Sequence, residues 1–474
     1  MLSATRGGLL LVAVLTFVVA AAQADEAPQP NIVFLLADDL GSHDVGWRGS
    51  EIKTPHLDRL ARGGAQLDQF YVQPVCSPTR AALLTGRYPF RYGLQTGVVR
   101  PWAEYGLSLD ERLLPEALKE AGYSTAIVGK WHLGHFDRKY LPTQRGFDHQ
   151  YGHYNGALDY YTHERDGGFD WHRDDRVNRD EGYATELLAK EAVQRIRERD
   201  RQRPLFLYVP FNAVHSPLQV PPRYEEPYTQ FKGKRRTYAG MVTALDEAVG
   251  QIVAALEDEK LLRETLIIFS SDNGGPAPGR ITSNGALRDA KGTVYEGGVR
   301  VCAFATWEGK IKPETIVNAP LHIVDWYPTL LKLAGAKTEQ KLPVDGHDIW
   351  PVLTQGASST HETLLINAAP DGGAIRVGDW KLVVSGLNAH AAAAQSKAAK
   401  SKAGKPGRQR AGEQSELFNL ADDPGEQKNL AQAEPTKLKE LRTRYDALAA
   451  QAVPPKSVPQ AKNFRVPKVW GEPD

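Results

Sequence analysis

The chain has 474 residues, 41% hydrophobic and 24% charged, with 58 Lys+Arg against 57 Asp+Glu and a formal net charge of +1. That balance excludes a nucleic-acid protein with a strongly basic face, and two cysteines exclude a disulfide-built scaffold. At roughly 150 residues per domain the length allows two or three domains, or one large α/β domain with a small companion.

Residues 1–24 hold Arg6, an apolar run from Leu9 to Ala22, and Ala22-Gln23-Ala24 ahead of Asp25-Glu26. A cationic start, a short apolar stretch and an Ala-x-Ala end read as a secretory signal peptide, so the expectation is an exported (periplasmic or secreted) protein with no stable membrane anchor. Apolar, β-branched or aromatic runs follow at Asn31–Ala37, Ser124–Val128, Leu205–Val209 and Thr265–Ser270. Near-continuous hydrophobicity predicts strands buried on both faces, as in a parallel sheet covered by helices. Helices are predicted over Leu109–Ala121, Tyr183–Arg197 and around Met241, Leu245, Val249, Ile252 and Leu256. Alternating strands and helices give a doubly wound α/β domain over 25–358. From 359 to 474 the pattern changes. Short antiparallel strands are predicted at 364–367, 374–377, 380–384 and 416–420, then a helix over Pro435–Ala449. Within this part the Ala/Lys/Gly/Ser-rich stretch at about 388–412 reads as a flexible basic insertion.

Ligands in open α/β sheets bind beyond the carboxyl ends of strands. The four runs lead into Asp38-Asp39, Lys130 and His132, Asn212 and His215, and Asp272-Asn273. Singly, each has a plain alternative as a turn, a cap or a solvated charge. Asp38, Asp39, Asp272 and Asn273 offer only hard oxygen ligands, which suit Ca²⁺, and less well Mg²⁺, rather than zinc. Ser77 and Pro78 suit the N-cap and first position of a helix ending near Thr85, with Gly86 closing it. Cys76 then sits at a helix N-terminus, where an anion is favoured, with Arg80 as a matching planar cation. The alternatives for Cys76 are an inert buried thiol or a bridge to Cys302.

Cys76-Ser-Pro-Thr-Arg80 with Leu84-Thr-Gly-Arg87 resembles the signature of type I sulfatases, and Gly129-Lys-Trp-His-Leu-Gly134 resembles their second motif. Ser271-Asp-Asn-Gly-Gly275, Lys291-Gly-Thr-Val-Tyr-Glu-Gly-Gly-Val-Arg300 and Phe418-Asn-Leu-Ala-Asp-Asp-Pro-Gly-Glu426 are similar to later family blocks; Thr79 stands where Ser or Ala is more usual. The resemblance implies an alkaline-phosphatase-like α/β sandwich with a large, mostly parallel central sheet, plus a small C-terminal domain of antiparallel sheet and helix. It implies that a formylglycine-generating enzyme oxidises Cys76 to formylglycine, and that Asp38, Asp39, Asp272 and Asn273 hold Ca²⁺ together with residue 76. It further implies sulfate-ester hydrolysis through a sulfo-enzyme intermediate, with Arg80, Lys130 and Lys291 on the sulfuryl oxygens. His215 with Lys291 would be the acid for the leaving oxygen, and His132 the base that frees sulfate.

Within the family, Gly152-His-Tyr-Asn-Gly-Ala-Leu-Asp-Tyr-Tyr-Thr-His-Glu164 is most similar to the arylsulfatase B (N-acetylgalactosamine-4-sulfatase) branch. That implies a sulfated carbohydrate substrate, N-acetylgalactosamine 4-sulfate or a related glycan unit, with Asp159, Tyr160, Tyr161 and His163 as candidate substrate contacts. Tyr160, Tyr161 and Trp171 would lie against a sugar face, unless they serve ordinary loop packing. The alternatives are a phosphonate or phosphate ester hydrolase of the same superfold, since a cation-lined cradle also fits phosphoryl groups, and a non-catalytic binder of sulfated glycans.

Overall fold

Four of the strands at the centre of the molecule are the four apolar runs. The computed structural model describes residues 29–369, 372–384 and 414–472, so the expected signal peptide and the basic insertion at about 388–412 lie outside the described residues. The central strands are β1 (Asn31–Ala37), β2 (Ser124–Lys130), β3 (His149–His153), β4 (Leu205–Pro210) and β5 (Thr265–Ser271). They run parallel in the order β5-β1-β4-β2-β3. Along β1, Ile32, Phe34 and Leu36 join one buried cluster, while Val33, Leu35 and Ala37 join the other. Alternate side chains enter opposite layers, and neither layer is wet, which is why these strands show no polar alternation.

The sheet has ten strands and is mixed at its margins. Ala303–Thr306 pairs antiparallel with β5, and His172–Arg173 pairs antiparallel with β3. One layer contains α1 (Cys76–Thr85), and the other contains α2 (Ala184–Arg197) and α3 (Lys234–Asp258). The helix expected over 109–121 is shorter, Leu114–Glu120. Pro115 opens its first turn and the Glu116 side chain accepts the Leu113 N–H at 2.7 Å, which fixes the start.

The C-terminal part is a four-stranded antiparallel sheet with Pro435–Ala449 packed on it through Leu441 and Tyr445. The observed strands, Leu364–Ala369, Gly372–Val377, Trp380–Val384 and Ser415–Asn419, cover the four expected ones to within two residues at each end. One face joins the main core through Leu365, Ile375 and Leu382. The other covers Val294, Tyr295 and Val299 of the 291–300 block. Fully buried Lys381 from this sheet bridges Glu296 and Glu426, each at 2.9 Å. An ion cluster so placed ties the small sheet to the segment that carries Lys291.

Candidate active site

The carboxyl ends of β1, β2, β4 and β5 deliver Asp38 and Asp39, Lys130 and His132, Asn212 and His215, and Asp272 and Asn273 to one place. Ligand atoms of Asp38, Asp39, Cys76 and His215 all lie within 4.8 Å of one another. Arg80, one turn into α1, donates to Asp272 Oδ2 at 2.9 and 3.2 Å, to Asp38 Oδ2 at 3.2 Å and to the Lys130 carbonyl at 3.0 Å. Lys130 Nζ also contacts Asp38 Oδ2. Lys291 Nζ reaches Asp39 Oδ1 at 2.6 Å and Cys76 Sγ at 3.4 Å, and Cys76 Sγ donates to Asp38 Oδ1 at 3.5 Å. Three buried carboxylates thus interleave with three cations around one thiol.

Burial sets the protonation states here, and neighbouring charges then separate them. Asp272 is pushed up to about 6 by burial and then by Asp38. Asp38 is held well below the usual carboxylate range: burial opposes this, but Lys130, His215 and Arg80 outweigh it. Lys291 is raised, burial being overcome by Asp39 and then Cys76. The Cys76 thiol is pushed up to about 12 by burial and then by Asp272 and Asp38. A thiol that stays protonated is a weak nucleophile and a poor partner for a hard cation.

The acidic set fits a hard cation. Asn273 donates from Nδ2 to Asp39 Oδ1 at 2.7 Å and to the Gly274 carbonyl, while its Oδ1 is buried without a hydrogen-bond partner among the described residues. An orphaned buried carbonyl oxygen beside three carboxylates, one of them raised by its neighbours' charge, is a ligand arrangement that a divalent ion would satisfy.

Two histidines are fixed by carbonyl acceptors. His132 Nε2 lies 3.1 Å from the Val99 carbonyl. A carbonyl only accepts, so Nε2 carries the hydrogen and Nδ1, buried and without a hydrogen-bond partner among the described residues, holds the lone pair. Burial, then Lys130 and Arg80, keep this ring neutral by holding its pKa well below the usual histidine value. His215 Nδ1 donates to the Ser216 carbonyl at 2.6 Å, which turns Nε2 toward Asp39 Oδ2 at 3.7 Å. Burial, then Lys291, lower its pKa to about 4.

Several details differ from expectation. Helix α1 starts at Cys76 with Val75 as its cap residue. Ser77 instead donates to the His132 carbonyl at 2.8 Å and accepts the Val99 N–H at 3.0 Å, so its hydroxyl braces two site loops. Cys76 and Cys302 are both free and buried, which removes the bridge between them. Among the substrate candidates, Tyr160 and His163 are each 1% exposed, so neither ring can meet a sugar. The Tyr160 hydroxyl bonds the Asn212 and His215 carbonyls at 2.7 and 2.8 Å, and His163 stacks on buried Trp171. Asp159 is partly exposed, but its carboxylate accepts from the Tyr161 and Thr162 N–H groups of its own turn and from Gln219 Nε2 of a separate loop. Tyr161 is 44% exposed.

Sequence reasoning missed Gly156, on whose Cα an added Cβ would lie 2.3 Å from His132 Cε1. It also missed His153, paired in register with Lys130 and fully buried, with neither ring nitrogen hydrogen-bonded among the described residues. The short, polar β3 gives no periodic signal that would have placed His153 beside Lys130. Asp39 and His132 both have positive φ, 65° and 60°, a conformation that collects at functional sites.

The sequence matches the Sulfatase family over residues 30–336. The chain belongs to the sulfatase family. This sulfatase is 38% identical to arylsulfatase J of Mus musculus over 95% of its own length and 82% of that protein. It is 37% identical to N-acetylgalactosamine-6-sulfatase of Mus musculus over 70% of its length and 67% of that protein. Among solved structures it is similar to Ps i-CgsB in complex with k-i-k-neocarrahexaose, at TM-score 0.79 and 30% identity, covering 90% of this chain and 94% of that one. These relatives support the family without singling out the arylsulfatase B branch. The phosphonate monoester hydrolase of Agrobacterium radiobacter, at 20% identity and TM-score 0.64, shares the fold alone. Of the activities weighed from the sequence, family membership selects sulfuric ester hydrolysis.

Proposed function

We propose that this sulfatase acts outside the cytosol on a sulfated carbohydrate, removing the sulfate of N-acetylgalactosamine 4-sulfate or a related glycan unit. Residues 25–358 form the catalytic domain in this reading and 359–474 the small C-terminal one. The observation that carries it is Cys76: a buried, protonated thiol at a helix start, touched by Asp38 and Lys291. A thiol held protonated there is a weak nucleophile as it stands, which supports conversion of Cys76 to formylglycine by a formylglycine-generating enzyme during maturation. A carbohydrate substrate is supported by the N-acetylgalactosamine-6-sulfatase relatives and by the neocarrahexaose bound to the structural neighbour.

With residue 76 hydrated as a gem-diol and Ca²⁺ held by Asp38, Asp39, Asp272 and Asn273, the site gains an oxygen nucleophile and a Lewis acid. Arg80, Lys130 and Lys291 then neutralise the sulfuryl oxygens as charge builds there; salt bridges to the carboxylates fix all three cations before substrate arrives. Burial and Lys291 lower the proton affinity of His215, and an entering sulfate anion raises it. From Nε2, His215 gives its proton to the leaving alcohol oxygen. His132 stays neutral and, with its hydrogen fixed on Nε2 by Val99, accepts a proton at Nδ1 when sulfate is released.

The test is side-by-side turnover with calcium supplied. Aryl sulfate should be cleaved well ahead of aryl phosphate, and N-acetylgalactosamine 4-sulfate ahead of the 6-sulfate. Activity surviving in Cys76→Ala, or a preference for the phosphate, would count against the reading.

A further inference from the structure

The final described stretch, 453–472, is almost free of regular structure, yet it returns from the small domain to the rim of the sulfate site. It starts against the loop after α1, where Val453 donates to the Phe90 carbonyl at 3.0 Å and Lys456 to the Gly93 carbonyl at 2.7 Å. The Val458 carbonyl then accepts the Trp102 indole at 3.0 Å, three residues beyond the Val99 carbonyl that orients His132. Phe464 packs edge-on to Trp102 and stacks with Trp470. Buried Trp470 lies 5.4 Å from His135, three residues after His132. The strap ends by pairing Lys468 and Trp470 with Phe169, next to Asp170 and Trp171. One segment therefore binds three of the loops that surround the site.

The outward side of the strap is chemically one-sided. From 453 to 472 it has four cations against one acidic residue, Glu472, in a chain where Lys+Arg and Asp+Glu otherwise nearly balance. Lys462, Arg465 and Lys468 are exposed, and none has an ion-pair partner among the described residues. Arg100, which lies over the strap-bound Trp102, and Phe136, next to His135, are also exposed, Phe136 at 57%. Exposed cations with no ion-pair partner among the described residues match a sugar polymer that carries repeated anionic groups.

We propose that this strap is a binding surface for a polyanionic glycan, holding sulfate-bearing units next to the unit being cleaved. The proposal rests on the sulfated-carbohydrate reading and adds that the substrate is a chain, not a lone sugar. Because the cations act on distant sulfates through solvent, they contribute to capture more than to the chemical step.

The test compares wild type with the triple variant Lys462→Ser, Arg465→Ser, Lys468→Ser, on a hexasaccharide that carries N-acetylgalactosamine 4-sulfate units and on 4-nitrophenyl sulfate. Exposed pairs contribute modestly each, so KM for the hexasaccharide should rise about tenfold, about 1.4 kcal/mol, with kcat unchanged. Its dependence on salt should flatten, and kinetics on the small ester should not move. An unchanged hexasaccharide KM, or an equal loss on both substrates, would overturn the proposal; the latter would make the strap a brace only. Equilibrium binding of the hexasaccharide, read without turnover, decides the same point independently: tenfold weaker in the triple variant supports the surface and equal binding refutes it. If wild type instead binds the hexasaccharide but hydrolyses neither ester, the sulfatase reading fails and the binding result still stands.

Discussion

Gly156→Ala is a substitution whose effect follows directly from the geometry around His132. Gly156 does not need a positive φ, so alanine suits its backbone. The added methyl, however, would lie 2.3 Å from His132 Cε1 and 2.4 Å from Nε2. Ordinary contact requires about 3.4–4 Å, so the ring must shift by roughly 1 Å. The only hydrogen bond of this ring among the described residues is the 3.1 Å contact to Val99, and that bond is lost. Leaving a buried donor unpaired costs about 1–3 kcal/mol, and a misplacement of about 1 Å at a reacting group costs on the order of 100-fold. We expect kcat for an aryl sulfate to fall about 100-fold, with KM little changed because Arg80, Lys130 and Lys291 still hold the sulfate group. A double-mutant cycle with His132→Ala supplies the control: the second substitution should add almost nothing, since both act on one ring. Wild-type kcat in Gly156→Ala, or additive losses in the double variant, would refute a base role for His132 set by this packing.

Other consequences can be checked separately. Glu426 is pushed up to about 7 by burial, with Glu296 adding and Lys381 opposing. An acid whose pKa is raised on folding contributes stability below its ordinary value of 4.5 that is lost as pH rises through the folded value. Wild type should therefore lose stability from this group as pH rises from 4.5 toward neutrality; urea unfolding of Glu426→Gln should lack that part of the slope, and parallel curves for the two proteins would contradict it. Tyr160→Phe removes the hydroxyl that bonds the Asn212 and His215 carbonyls; kcat should fall about tenfold with about 1 kcal/mol lost in stability, and unchanged kcat would show that His215 needs no such clamp. Calcium should raise the thermal midpoint of wild type by binding the folded acidic cluster, and an unmoved midpoint at saturating calcium would argue against a site at Asp38, Asp39, Asp272 and Asn273.

Much of the fold was legible because the central strands are buried on both faces, which leaves runs such as Asn31–Ala37 without polar interruption. The same logic led to Asp38, Lys130 and Asp272, since strand ends in such sheets open onto the ligand crevice. What escaped has no local signature. Tyr160 looks like a sugar platform in sequence, but tertiary contacts bury its ring and turn its hydroxyl onto the His215 loop. Ser77 fits a cap by residue type, yet the helix begins two residues earlier than that reading, at Cys76, and the Ser77 hydroxyl links His132 to Val99. Gly156 matters only through a ring 24 positions earlier in the chain. The strap at 453–472 carries no periodicity, and its significance comes from where the small domain delivers it.

The central claim concerns the chemical identity of residue 76, and peptide mass analysis across Val75–Arg80 reads it directly. Protein made in a host that carries a formylglycine-generating enzyme should show the thiol replaced by an aldehyde, in proportion to its specific activity on aryl sulfate. A fully active preparation in which residue 76 is still an ordinary cysteine would contradict the account.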